Sequence, residues 1–207
     1  MPLASRVDPF GQLFADAARG LFMGNRGGRI HRNDRTLGTR RWASRQWICC
    51  RLEFKNRRRE VWGNSYTELF FLDEATALAA GHRPCFECRR ADANAFITAC
   101  RLGAAPADIS CAGALDRRLH RERLSGRGKR LHPMPMDGLP DGTFLVSPET
   151  PSSACVLRGD TLLAWTPAGY GGRRRRQSGM IVQVLTPPIV IAALAAGYKP
   201  VWHSSAD

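Results

Sequence analysis

The residues best suited to chemistry are two cysteines in the run Pro84-Cys85-Phe86-Glu87-Cys88. That two-residue gap lets both sulfurs reach one tetrahedral ion while backbone N–H groups of the turn steady the thiolates. Arg83, Arg89 and Arg90 flank the pair and favour the thiolate form. A thioredoxin-like redox pair is the rival reading, and it requires the pair to open a helix directly after a strand. Here a helix stop and a proline come first, in "ALAAGHRPC", so a metal is expected. A structural zinc ion needs two further ligands. In "RQWICCRLEF", Ile48, Cys50, Leu52 and Phe54 face one way and Trp47, Cys49, Arg51 and Glu53 the other. Neighbouring strand residues point to opposite faces, so Cys49 and Cys50 are not expected to serve one ion together. The expected ligand set is Cys50, Cys85, Cys88 and His31, with Cys49 replacing His31 if the strand bulges. Cys100, Cys111 and Cys155 are expected as small buried hydrophobes.

The second chemical signal is charge. Lys plus Arg number 31 against 18 Asp plus Glu, a formal net charge of +13, and nearly all the excess is arginine. Arginine offers a planar fork of donors that grips phosphate at two points, and such a surface attracts polyanions at long range. DNA or RNA is therefore the expected partner. The candidate contacts are Arg40, Arg41, Arg57, Arg58, Arg59, Arg89, Arg90 and the run Arg173, Arg174, Arg175 and Arg176. Trp42, Trp47 and Trp62 lie among the first of these, a mixture that suits stacked bases as well as ordinary packing. An enzymatic alternative is a metal-dependent nuclease or glycosylase using His31 with Asp34, or His120 with His132, as acid–base groups. A third reading is a zinc scaffold for a protein partner. No Gly-x-Ser-x-Gly, P-loop or paired carboxylates stand out.

These groups must be held by local structure. "DPFGQLFADAARGLF", residues 8–22, has Phe10, Leu13, Phe14, Ala17 and Leu21 at helical spacing, which predicts a helix. A short strand is expected at 28–31. The stretch 47–54 and "SYTELFFL" are expected to pair as a hairpin about the arginines at 57–59. Asp73 should cap a helix that Gly81 closes, and another should run from about Asp92 to Gly103. A basic helix is expected in "ALDRRLHRERL", loop at "SGRGKRLHPMPMDGLPDG", and strands at "TFLVS", "ACVLRGDTLLAWT" and "MIVQVL". "PAGYGGRRRRQSG" is expected as a flexible basic loop, and Pro188 to Ala196 as a final helix. "ALAAGYKPVWHS" near the C-terminus echoes "ALAAGHRPCFEC" without its thiols. Its shared part is helix-stop chemistry, and the rest is expected to pack.

"FFLDEATALAAGHRPCFECRR" resembles the zinc-binding module of the Ada-type methylphosphotriester-repair proteins: a strand, a short helix, then an aromatic-or-His, Arg, Pro, Cys-x2-Cys knuckle. The resemblance covers about residues 66–90 and extends more loosely back to 24, where "GNRGGRIH" and "ICCR" are similar to the family's first strands. It implies zinc, with Cys50 at the family's first cysteine, and contact with DNA in repair or processing. Where the family carries its next cysteine, four residues on, this chain has Phe54. Methyl transfer, which needs four sulfurs and an exposed acceptor, is therefore not implied. The expected class is α+β: a zinc-knuckle β-hairpin/helix lobe in 1–105, a basic connector in 106–140 and a β-rich lobe with a terminal helix in 141–207. No stretch approaches the roughly 20 apolar residues of a membrane span, and no secretory leader is visible, so a cytoplasmic protein with no membrane partner is expected.

Overall fold

The computed structural model describes residues 2–58, 60–103, 109–147 and 150–207. Its first part is not helical. Strand β1 (Arg6–Val7) ends just before residues 8–22, which hold β2 (Leu13–Phe14) and the start of β3 (Phe22–Asn25). Gly11 adopts φ 79°, which no helix continues through. Asp8 accepts a hydrogen bond from Gln12 N at 2.7 Å and so closes a turn. Gly20 lies so close to the Phe71 carbonyl that a Cβ would stand 1.8 Å from its oxygen.

β4 (Ile48–Arg51) and β5 (Leu69–Phe71) do not form the expected hairpin, because β3 lies between them. All four residues of β3 are buried, and a strand of that kind needs pairing on both edges. Met23 stands opposite Cys50 on one side and Phe70 on the other. The two-residue β6 (Arg83–Pro84) completes this sheet in the order β2-β1-β5-β3-β4-β6. The strand expected at 28–31 is reduced to a bridge between His31 and Leu37.

Helix α1 (Glu74–Ala79) is wholly buried and capped by Asp73, whose Oδ1 accepts from Thr76 N and Thr76 Oγ1, both at 2.8 Å. Its small side chains let three layers converge. Ala77 packs with Phe22, Leu69 and Phe71 of the first sheet, while Ala75 and Ala79 meet Phe144, Val156 and Leu163. Leu78 enters a cluster made by α2 (Arg90–Gly103), α3 (Ala112–Arg123) and α4 (Pro188–Ala195).

A second sheet follows. The basic stretch after α3 contains a small hairpin, β7 (Leu124–Ser125) with β8 (Gly128–Lys129), and an edge strand, β9 (His132–Pro135). β10 (Phe144–Val146), β11 (Ala154–Arg158), β12 (Thr161–Thr166), β13 (Gly169–Arg175) and β14 (Ile181–Val184) form with β9 the antiparallel order β13-β12-β11-β10-β14-β9. Prolines 133 and 135 are tolerated in β9 because an edge strand needs only one side of its hydrogen bonds. The expected loop at 167–179 is largely β13: Trp165 pairs with Tyr170, and the arginines continue the opposite edge. The class is α+β, as expected, with α4 near the chain's end.

The C-terminal echo docks on the start of α1, the helix that runs into the first copy of the phrase. Tyr198 Oη and Val201 N donate to Glu74 at 2.6 and 3.0 Å, and His203 N donates to Asp73 Oδ2 at 3.1 Å. Tyr170 Oη reaches the same Asp73 oxygen at 2.7 Å. Burial raises the Asp73 carboxyl above its ordinary range.

Candidate metal centre

Cys50, third in β4, meets Cys85 and Cys88 from the knuckle between β6 and α2, with the three sulfurs all within 4.8 Å of one another. The parallel β4–β6 pairing makes this local. Cys85 N donates to Cys49 O at 2.9 Å, which brings the knuckle to the strand one residue before Cys50. Glu87 N then points at Cys85 Sγ at 3.4 Å, and Arg89 N closes the turn on Cys85 O at 2.9 Å. Met23, Ile48, Phe54, Tyr66 and Phe70 surround the sulfurs. Hydrogen bonds from the Cys50 and Cys88 thiols hold Cys85 down to about 2, while Cys50 is pushed up chiefly by its bond to Cys85. A metal cation held here would take the place of the thiol protons.

The donor chemistry fits a metal ion. Zn–S bonds of about 2.3 Å at tetrahedral angles put sulfurs about 3.8 Å apart, within the 4.8 Å limit met here. The pair does follow a short strand and precede α2, the placement expected of a redox dithiol. A third thiol converging on it is what distinguishes a metal-binding group. It is the one group of three or more Cys, His, Asp or Glu ligands assembled among the described residues.

Neither expected fourth ligand joins it. His31 is buried with both ring nitrogens engaged, Nδ1 by Thr67 Oγ1 at 2.7 Å and Nε2 by Gly63 O at 2.9 Å, and its ring stacks on Trp62. Cys49 points through the sheet into the core of Val7, Leu69 and Phe71, with Arg89 Nη1 3.5 Å from its sulfur. β4 carries no bulge that would turn it. Phe54 packs at the cluster instead, with Lys55 and Arg57 over its ring. Of the other thiols, Cys100 and Cys155 are buried as expected, but Cys111 is exposed at the start of α3.

The expected catalytic pairs are not assembled. Asp34 is exposed and turned onto Thr36, whose hydroxyl and amide lower its carboxyl. His120 Nδ1 meets Arg123 Nη2 at 2.9 Å, and His132 Nε2 meets Glu122 O at 2.8 Å.

The arginines divide sharply. Arg89 is buried between Glu74 and Asp92, each at 2.8 Å, so it is structural and cannot serve as a nucleic-acid contact. Arg83 makes a buried two-pronged pair with Asp116, both contacts at 2.8 Å, tying the knuckle to α3. Arg40, Arg41, Arg58, Arg90 and Arg173–Arg175 are exposed. Arg57 is exposed and paired with Glu87, and Arg176 holds the Met136 and Leu139 carbonyls. Arg59 lies outside the described residues. Arg26, Arg123 and Lys129 come together in a cleft at the opposite end of β4. Arg123 and Lys129 belong to the basic run 120–132 around its Gly-rich turn, whose sequence reading is a phosphate-gripping loop or a solvated basic face, whereas no motif marks Arg26.

A scan of family models found no match to the chain, and searches of curated proteins and of solved structures found none either. No helix among the described residues is long and apolar enough to cross a membrane.

Proposed function

We propose that this protein binds DNA or RNA and that a zinc ion held by Cys50, Cys85 and Cys88 orders part of its basic surface. The observation that carries the proposal is the company the three thiols keep. Arg51, Lys55, Arg57 and Arg58 lie in the segment leading away from Cys50, and Arg90 begins α2 two residues after Cys88. Phe54 packs that segment onto the sulfurs, and the Arg57–Glu87 pair ties it to the knuckle. Lys55 and Asn56 stand at φ 52° and 51°, a left-handed conformation that asparagine tolerates but that costs a residue such as lysine roughly 1–2 kcal/mol. Metal binding at the thiols supplies anchoring that offsets this cost. Zinc acts here as a structural ion, and an Ada-type module is the reading that best accounts for the order of strand, helix and knuckle. A role in DNA repair or processing follows from that resemblance alone.

The excess of 13 positive charges has the sign and arginine chemistry for phosphate backbones. Arg173–Arg175 on the edge strand β13 extend the basic surface and also deter strand addition at that edge. The test is retention on immobilised DNA and RNA as salt is raised, with metal content measured on the same preparation. The expected result is about one zinc per chain and affinity falling linearly on a log–log plot, with a slope near −0.9 per phosphate contacted on duplex DNA. No retention at low salt would overturn nucleic-acid binding, and a metal content near zero would overturn the zinc.

A further inference from the structure

A cleft of about 350 Å³ opens beside Trp47, at the end of β4 away from the thiols. Arg26, Arg41, Arg123, Arg127 and Lys129 line it, and no Asp or Glu among the described residues does. Two of these cations are deeply buried: Arg26 is 2% exposed and Arg123 is 1% exposed. Buried arginines are normally matched by carboxylates, as Arg83 and Arg89 are here. No ion pair among the described residues joins Arg26, Arg123 or Lys129 to a carboxylate.

Their partners are neutral instead. Arg26 donates to the carbonyls of Gly11 at 2.8 Å and Arg41 at 3.3 Å, and Arg123 to those of Gly81 and Arg45, each at 2.9 Å. Both guanidinium carbons lie over the Trp47 ring, at 3.9 and 3.8 Å. Lys129 Nζ donates to Ala79 O. Arg123 Nε is buried with no hydrogen-bond partner, and so is Nδ1 of His82, the ring behind Arg26. Asp8 is the nearby acid, and it is turned to Gln12 N.

We infer that this cleft binds the phosphate monoester of a nucleotide, its oxygens taken by Arg123, Lys129 and Arg127 and its base carried by Trp42 at the rim. A monoester brings close to two negative charges at neutral pH and acceptor oxygens for several donors at once. An internal strand phosphate carries one charge and is flanked by chain on both sides, so a cleft enclosed by five cations favours a terminal group. Trp42 is half-buried, tilted against Trp47 and edge-on to His120, leaving an aromatic surface on which a base can stack. Burial lowers Lys129 to about 7 and also pulls Arg123 down, with Arg26 adding to that effect. Desolvation outweighs the opposing pull of Asp8 on Lys129 and of Asp116 on Arg123.

The inference stands apart from strand binding by the outer arginines, and calorimetric titration separates the two. The probes are inorganic phosphate, a nucleoside 5′-monophosphate, the bare nucleoside, and one oligonucleotide carrying either a 5′-phosphate or a 5′-hydroxyl. The monophosphate is expected to bind saturably and the nucleoside not at all. Lys129→Met and Arg127→Ala, checked for native fold by thermal melting, are each expected to weaken binding about tenfold or more. Arg127 is exposed at the rim, so its substitution leaves the core intact even if Lys129→Met disturbs folding. A 5′-phosphorylated strand that outbinds both its hydroxyl twin and the mononucleotide identifies a strand end as the source. Equal affinity for mononucleotide and phosphorylated strand identifies a free nucleotide. The inference is overturned if no phosphorylated probe gives saturable binding, or if both folded variants bind as the parent does. Binding of the 5′-hydroxyl strand reports only on the outer arginines.

Discussion

β4 separates two opposite electrostatic problems. At one end three sulfurs are buried together, and at the other, cations line a cleft to which no described Asp or Glu contributes. Trp47 and Cys50 are three residues apart, about 10 Å along a strand. The two regions differ in how they are held. The thiols come from a strand and the knuckle hydrogen-bonded beside it, so the group is built by a single strand pairing. The cations come from after β3, from the end of α3 and from the β7–β8 hairpin, and Trp47 is their common floor. A thiol cluster completed by metal adds stability, because the ion binds only the folded arrangement. A cation cluster without counter-ions costs stability until a ligand arrives, as binding sites commonly do.

The largest expected effect breaks the first half of that contrast. Cys85→Ser should remove the metal and lower stability by about 4 kcal/mol or more, read by metal analysis and urea unfolding. A variant that keeps one metal per chain and its parent's midpoint would refute the thiol site. Lys129→Met should do the reverse. With its cation gone and its stem still packed, the protein should unfold at equal or higher denaturant, by about 1 kcal/mol, while losing stabilisation by added nucleoside monophosphate.

The same lysine gives a pH signature. Its folded value is about 7 against an ordinary 10.5, so between those limits the unfolded chain binds more protons than the native one. Stability of the parent relative to Lys129→Met should therefore rise as pH goes from about 7 to about 10, and bound phosphate should flatten the rise by keeping the ammonium charged. The groups facing Lys129 are Asp8, Arg26, Arg123 and the Ala79 carbonyl, and of these Asp8, raised to about 6 by burial, titrates below the window. A flat difference across the window would show that the lysine is not buried as charge. The smallest effect sharpens the ligand assignment. Cys49→Ala should retain the metal and cost about 1 kcal/mol of packing, and loss of metal would show that the sheet turns this residue towards the ion.

Much of the thiol end was legible. Strand alternation separated Cys50 from Cys49, and Asp73 and Gly81 bounded α1 as cap and stop. His31 was misplaced because a histidine near a strand end is equally a ligand or a buried hydrogen-bonding ring, and Thr67 and Gly63, more than thirty residues away, decided which. The helix expected over 8–22 failed on Gly11, whose positive φ outweighed an apolar spacing that also suits short strands. Arg89 and Arg123 make the limit plain. Each is a buried arginine on or beside a helix, yet one has two carboxylates and the other none.

The sequence by itself determined the α+β class, the thiol pair with its third partner, the ends of α1, α2 and α4, and the sign of the surface charge. The thiol pair and the element ends depend on near neighbours, Cys50 on the alternation of its own strand, and the charge on a sum over the chain. Only the tertiary structure decided that β3 separates β4 from β5, that the C-terminal phrase docks on α1 through Asp73 and Glu74, and that three cations share Trp47's end of the strand without an ion pair to a described carboxylate. Burial and counter-charge are properties of segments brought together from residues 26, 47, 123 and 129, and nothing in the local pattern of any one of them records the others.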